Sequence, residues 1–336
     1  MAAEKHDEKI TWDYMKILTQ MLVAASLFFT LGVASVFPQS YPSKPVRIVV
    51  PFSAGGGGDL VTRAVAARLS DQLSQSFIVD NRPGLGGNIG SELVVRSVPN
   101  GETFLMGGDH LTISKALYPK LGYDPLKDLV PMVMFSTGPH VLVAHTSFEA
   151  NNLRELIALA RARPGMINLG TPGSGTAQDM FGERFKRAAG IDIIAIRYKG
   201  GGPALGDLLA GHVKLGIIGM PPVMPLLKAG KLKLIAVTSP QRSPLFPAVE
   251  SVSETFPGLS SMQWLALMAP VGTPADIVNK VVAETRKALE QPQLKELLAS
   301  SGLVPSGLAT DEFAKFMQEE YQVFAKVVKD YGIKVD

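Results

Sequence analysis

Short apolar runs alternate with amphipathic stretches along nearly the whole chain, and several runs end in a glycine-rich turn that opens the next helix. Val46–Val50 (VRIVV) is β-branched, ends at Pro51 and reads as a buried strand. The turn PFSAGGGGD follows, and Leu60, Val61, Ala64, Val65, Leu69 and Leu73 then recur at helical spacing. Phe77–Val79 reads as the next strand. The loop Asn81–Gly90 (NRPGLGGNIG) leads into the helix SELVVRSV, and Thr103–Met106 reads as a third strand after the turn Asn100-Gly101. Val130–Phe135 and Val141–Ala144 read as two more.

The rhythm then repeats. A helix over Leu153–Arg163, closed by Pro164-Gly165, precedes a strand over Ile167–Leu169 and the loop GTPGSGT. A helix over Ala177–Ala189 stops at Gly190, Ile193–Ile196 is a strand, and RYKGGGPA opens a short helix over Ala204–Ala210. Val213–Ile218 and Leu232–Val237 read as strands around a helix over Val223–Ala229. A Pro/Ser-rich stretch, 240–261, separates these from a strand over Gln263–Met268 and from closing helices that include Pro274–Leu289 and Asp311–Asp330. This alternation predicts an α/β fold with a mostly parallel sheet and helices on both faces. Two runs, at about 45–140 and 150–237, predict two doubly wound lobes, with 240–261 as the return crossing.

Residues 1–43 stand outside that pattern. No charge occurs from Ile17 to Ser43, Met21–Phe37 is strongly apolar, Lys16 precedes it, and Gly32-Val33-Ala34-Ser35 closes it with small residues. A basic flank, an apolar centre and a small-residue exit make a cleavable export signal. A single membrane anchor is the alternative, because the stretch nearly reaches spanning length. The run before Lys16 contains acids, which is unusual for a leader; a start at Met15 gives an ordinary short one. Cleavage after Ala34 or nearer Ser40 leaves a mature chain with no second long apolar run, which excludes a polytopic membrane protein.

Composition narrows the chemistry. The 336 residues include no cysteine, which excludes disulfides, zinc-thiolate sites, iron–sulfur clusters and a cysteine nucleophile. A net charge of +3 does not argue for nucleic acid. The loops PFSAGGGGD, GTPGSGT and YKGGGPA each follow a strand and open a helix, where exposed backbone N–H groups and the helix dipole favour an anion. The dinucleotide pattern G-x-G-x-x-G fails, since Leu60 occupies its sixth position counted from Gly55. A phosphate loop needs Gly-Lys-Ser/Thr, whereas this loop ends Gly-Asp-Leu, and Asp59 suits an N-cap rather than a phosphate. A small carboxylate fits better than a polyphosphate, and no cofactor is expected.

Catalytic constellations are poor. His140 and His145 lie five apart on an apparent strand, face opposite sides, and cannot share a metal. His212 sits in a turn, and His110, in MGGDHLT, is the histidine placed where a strand meets the cleft. Ser174 lies in T-P-G-S-G rather than the nucleophile-elbow pattern. A secreted α/β hydrolase using Ser174 and His110 is the enzymatic alternative. Lys199 could neutralise a second carboxylate, Tyr198 could stack on ligand or fill the lobe interface, and Trp264 reads as core.

These segments together resemble the receptors of the tripartite tricarboxylate transporters, the TctC or Bug family. The resemblance rests on YPSKPVRIVVPFSAGGGGDLVTR, NRPGLGGNIG, LGTPGSGTAQDMF, YKGGGPALGDLLAGHV, LKAGKLKLIAVTSPQRS and APVGTP in this order, over about 41–332. It implies a bilobal periplasmic-binding-protein fold of type II with two crossing segments: lobe 1 from 41–140 plus 258–336, lobe 2 from 141–257. It implies a monomeric periplasmic receptor that holds a small carboxylate largely by backbone groups and bridging water and delivers it to a membrane permease. A periplasmic sensor component is the alternative within the same fold. By position the family's first binding loop falls on Ser53, Ala54, Gly55, Gly56 and Asp59. Its second-lobe loops fall on Pro172, Gly173, Ser174, Gly175 and Thr176, and on Tyr198, Lys199, Gly200, Gly201, Gly202, Pro203 and Ala204. Asn100 and Glu102 depart from the family's P-D-G-Y turn, Leu265 stands where glycine is common, and Met220, Pro221 and Pro222 replace a segment that often carries a polar residue. These departures bear on ligand identity rather than on fold.

Overall fold

Each run expected to be a strand forms one in the structure, a computed structural model that describes residues 41–333 together with Trp12, Met15, Lys16 and 18–21. Apart from those few positions, the expected export signal at 1–40 lies outside the described residues. No helix among the described residues is long and apolar enough to cross a membrane.

In chain order the first half runs β1 (Val46–Val50), α1 (Gly57–Leu73), β2 (Phe77–Asn81), α2 (Asn88–Val95), β3 (Thr103–Gly108), α3 (His110–Leu117) and β4 (Leu129–His145). The second runs α4 (Leu153–Ala162), β5 (Asn168–Thr171), α5 (Ala177–Ala189), β6 (Ile194–Arg197), α6 (Gly201–Ala210), β7 (Leu215–Gly219), α7 (Met220–Lys228) and β8 (Leu232–Val237). The short α8 (Val252–Thr255), β9 (Met262–Pro270), α9 (Ala275–Glu290), α10 (Pro292–Ser300), β10 (Val304–Pro305) and α11 (Thr310–Tyr331) follow.

The strands form a mixed sheet in the order β2-β1-β3-β9-β4-β7-β5-β6, with β8 and β10 also pairing β4. Its ends are parallel, as expected: β1 lies between β2 and β3, and β5 between β6 and β7. The centre departs from the mostly parallel expectation. There β4 runs antiparallel to β9, β7 and β8, because β4 and β9 carry the chain from one lobe to the other and back.

Strand β4 is the backbone of that arrangement. It is a single strand of 17 residues where the sequence suggests two, Val130–Phe135 and Val141–Ala144. Pro139 does not interrupt pairing: it sits opposite Met262 in register, and its carbonyl accepts a hydrogen bond from Gln263 Nε2 at 3.4 Å. The first part of β4 packs into the core of one lobe, with Met134 beside Trp264, Leu105 and Phe313. Beyond His140 its side chains alternate between two cores, as a pleated strand requires. Leu142 and Ala144 join Leu169, Phe181 and Phe185 on one face, and Val141 and Val143 join Leu208, Ile218 and Val223 on the other. A strand covered on both faces needs an unbroken apolar run, which explains VLVA at 141–144.

The two crossings meet at one point. Thr238 follows the end of β8, and its buried hydroxyl lies 2.9 Å from the His140 carbonyl and 2.6 Å from that of Ser261. The Ser261 amide in turn donates to the Thr238 carbonyl at 2.8 Å. The return crossing is therefore at Ser261–Met262 rather than across 240–261 as a whole. The intervening chain stays with the second lobe, where Val252 and Leu259 enter the core.

The closing helices pack on the first lobe, and α11 reaches further. Its Phe313 and Met317 enter the core beside Trp264, while Phe324, Val327 and Val328 pack against Ala177 and Met180 of α5 in the second lobe. Midway along α11, the Glu320 carboxylate accepts hydrogen bonds from Trp264 Nε1 at 2.8 Å and Thr112 Oγ1 at 2.6 Å. Burial pushes this carboxyl up to about 7, against the pull of those two donors.

Replacing Thr238 by Val keeps the shape and removes the hydroxyl between two buried carbonyls. The expected cost is about 1–2 kcal/mol, read as a lower urea midpoint at unchanged slope. Glu320 has a folded value above its unfolded one, so its contribution is fully present below about 4.5 and lost as pH rises through about 7. Glu320→Gln should flatten the fall in unfolding free energy across that window; denaturant titrations at several pH values measure it.

Candidate functional site

A narrow cleft, partly open to solvent, lies between the lobes. Its wall is made by the beginnings of helices. Gly57, Gly58 and Asp59 form the first turn of α1, His110 is the first residue of α3, and Gly201 that of α6; all line the cleft. Thr176, the N-cap of α5, and Gly219, the N-cap of α7, line it too. The first amides of a helix have no partner within it, and each N-terminus carries partial positive charge. Five helices therefore direct their positive ends at one space. Among the described residues no lysine or arginine lines it, so these backbone dipoles are its source of positive potential.

The turns from opposite lobes touch. The Ser53 amide donates to the Lys199 carbonyl at 3.2 Å, and the Ser53 hydroxyl donates to the same oxygen at 2.9 Å. Gly200 has φ +146°, which side chains rarely adopt, and a Cβ on it would sit 2.8 Å from the Ser53 nitrogen. A methyl on Gly202 would overlap the Ala54 carbonyl oxygen. The second glycine loop does the same elsewhere: a Cβ on Gly86 would lie 2.5 Å from the Ser174 carbonyl oxygen.

Two aspartates hold these turns in matching ways. Asp59, at the third position of α1, accepts from the Gly55 amide at 3.0 Å, from Arg63 Nε at 3.1 Å and from Asn81 Nδ2 at 2.9 Å. It is not the N-cap expected from the sequence; Gly56 takes that position and Asp59 tethers the preceding turn. Burial alone would raise the Asp59 carboxyl, but the bonds from Arg63, Gly55 and Asn81 hold it below its ordinary value. Asp179, at the third position of α5, accepts from the Gly175 amide at 3.4 Å and from Arg197 Nε at 2.9 Å. There burial outweighs Arg197, and the carboxyl is raised.

Of the residues singled out in the sequence, Gly56, Asp59, His110, Pro172, Thr176 and Gly201 line the cleft. Ser53, Ala54, Gly55, Lys199, Gly200 and Gly202 form the contact between the turns, with the Lys199 side chain exposed. Gly173 backs onto the Tyr198 carbonyl, and Gly175 faces Tyr118 of the first lobe. Tyr198 turns inward, donating its hydroxyl to Asp207 at 2.6 Å beside the second-lobe core. Ala204 is buried in that core, and Pro203 is exposed at the start of α6.

The imidazole of His110 packs edge-on against Phe52 with ring centroids 5.1 Å apart, and its Nε2 lies 3.3 Å from the Ser91 hydroxyl. Burial pushes its pKa down to about 3, so it stays neutral. The cleft also contains Asp109, His140, Gln178, Gln263 and Trp264, which sequence reasoning did not place there. Trp264 is core as expected, yet it lines the cleft as well. Asp109 and His140 belong to segments that pattern alone leaves apart, and only the crossing of β4 and β9 brings them together.

Comparison with known proteins agrees with this architecture. The model for the tripartite tricarboxylate transporter family receptor matches residues 61–333. BugT of Bordetella pertussis is 35% identical over 323 residues, covering 95% of this chain and 99% of its own. Among solved structures, Rpa4515 of R. palustris with adipate superposes with a TM-score of 0.83 at 33% identity, over 88% of this chain and 99% of that one. MatC from Rhodopseudomonas palustris with bound malate gives 0.80 at 29%, over 86% and 100%. The fold is the type II bilobal fold of periplasmic binding proteins, and the chain belongs to the family of tripartite tricarboxylate transporter receptors.

Proposed function

We propose that this protein is an extracytoplasmic receptor that captures a small carboxylate between its lobes and delivers it to the permease of a tripartite transporter. One observation carries the reading: five helix N-termini converge on a cleft whose wall, among the described residues, offers no cationic side chain. Such a site stabilises a compact anion by dipoles already in place, and closing it against water strengthens each N–H···O contact. The relatives solved with adipate and with malate support a carboxylate as the ligand class.

In this reading residues 1–40 serve as a cleavable signal for export to the periplasm. The lobes are 41–140 with 262–336, and 141–261, the boundary lying past Leu259 because that residue packs in the second-lobe core. The turns at Ser53–Gly56, Pro172–Thr176 and Lys199–Gly202 close over the ligand.

A hydrolytic role has little to work with. The base candidate, His110, has a hydroxyl rather than a carboxylate at Nε2, and its low pKa makes it a weak proton acceptor. The protein binds and releases its ligand unchanged.

Small dicarboxylates added to the ligand-stripped protein should raise its melting temperature by several degrees at about 100 times their dissociation constant, equivalent to about 2.7 kcal/mol. No shift with any short-chain carboxylate would sink the proposal. Gly202→Ala places a methyl against the Ala54 carbonyl and should weaken binding about tenfold or more, because the lobes cannot close fully. Isothermal titration calorimetry measures the change.

A further inference from the structure

Helix α11 begins in the first lobe and ends against the second. Phe313 and Met317 bury it beside Trp264, and Glu320 ties it to Trp264 and Thr112. Beyond Glu320 its side chains join a different cluster. The buried members of that cluster come from both lobes: Ile113 and Leu117 of α3, and Ala177 and Met180 of α5. Phe324, Val327 and Val328 pack around them, as does Ile333 just past the helix. The C-terminal end of α11 adds polar contacts to the second lobe. Arg187 Nη1 of α5 donates to the Tyr331 carbonyl, and the guanidinium carbons of Arg184 and Arg187 lie 5.7 and 5.8 Å from the centre of the Tyr331 ring.

This cluster sits directly behind the cleft. His110 opens α3 and lines the cleft, and Ile113 follows three residues later. Thr176 caps α5 and lines the cleft, and Ala177 is the next residue. Two of the five helix starts, one from each lobe, are therefore braced by the same apolar contact. Opening the cleft carries Thr176 away from His110, and with it Ala177 and Met180 away from α3 and from the end of α11. That exposes apolar surface to water and parts both arginines from Tyr331, so the contact favours the closed form. None of its residues lines the cleft, so it acts on the lobes and not on the ligand.

Resting on the lobe closure of the reading above, we infer that the part of α11 beyond Glu320 is a clasp, which holds the second lobe shut from outside the cleft and sets how long the ligand stays bound. A contact that stabilises the closed form raises affinity without touching the ligand, because more of the protein is already in the binding form. The clasp then acts mainly on release, since arrival takes place through the open form.

Phe324→Ala loosens the apolar side of the clasp and Arg187→Ala its polar side. The chain has no cysteine, so Val98→Cys on the first lobe and Met166→Cys on the second, both exposed, accept a pair of spin labels without further change. Pulsed electron resonance on the full chain reads the separation of the lobes, and stopped-flow mixing with succinate, glutarate and adipate reads the rates. Each clasp variant should shift the ligand-free protein toward longer label separations. Phe324→Ala should release the bound acid about tenfold faster, with the association rate within about twofold of wild type. Variants that melt at lower temperature yet keep wild-type separations and release rates would make the end of α11 plain packing and overturn the inference. If none of the three acids binds, the carboxylate reading loses its support, and the ligand-free separations still decide the clasp: a shift in the variants upholds it, and an unchanged distribution overturns it.

Discussion

Backbone meets backbone across the cleft, at a separation that a single methyl group would prevent. Ser53 bonds Lys199, the Ala54 carbonyl sits against Gly202, and Gly86 abuts the Ser174 carbonyl. These contacts bring strand-to-helix turns of both lobes to one place, so that the helices behind them point their N-termini inward. Larger side chains would hold the turns apart, and the dipoles would face bulk water, where their field is weak. The glycine content of this chain is thus a condition for closure rather than a by-product of loop formation.

Turns so rich in glycine are also intrinsically floppy, and the protein answers this twice in the same way. The third residue of α1 and the third residue of α5 are aspartates, Asp59 and Asp179. Each accepts the amide four residues before it, and each is anchored by an arginine, Arg63 or Arg197. The carboxylates that line or flank the site on these helices are therefore engaged in shaping it. Asp59 faces the cleft with its charge already compensated by Arg63, which leaves the helix dipoles free to act on an anion. At Asp109, burial and then the charge on Glu320 raise the carboxyl well above its ordinary value, against the pull of a hydrogen bond from the His110 backbone.

Much of this was legible in the residues. Apolar runs such as VRIVV and VLVA mark strands because burial on both faces demands it, and a glycine turn after a strand marks the edge where ligands bind. What stayed hidden depends on long-range pairing. Val130–Phe135 and Val141–Ala144 read as two strands, yet β4 runs on through the residues between them, in register with β9 from Leu129 to Pro139. Helix α3 was not expected, since Thr112 and Ser114 are indifferent helix formers; its buried Leu111 and Ile113 settle the matter through packing. Tyr198 adjoins a glycine turn, but the acceptor that draws its ring inward, Asp207, sits on the next helix. Asp109, His140 and Gln263 come from three segments distant in sequence, and no local pattern announces that they meet.

The central claim is that a small acid is held between the facing turns by backbone amides at the helix starts. A crystal structure of the protein with a bound carboxylate tests it most directly. The account predicts carboxylate oxygens within hydrogen-bond distance of amides in the turns at 53–58 and at 172–176 or 199–202, with both lobes contributing. A carboxylate gripped by lysine or arginine side chains, or seated on one lobe alone, would contradict it.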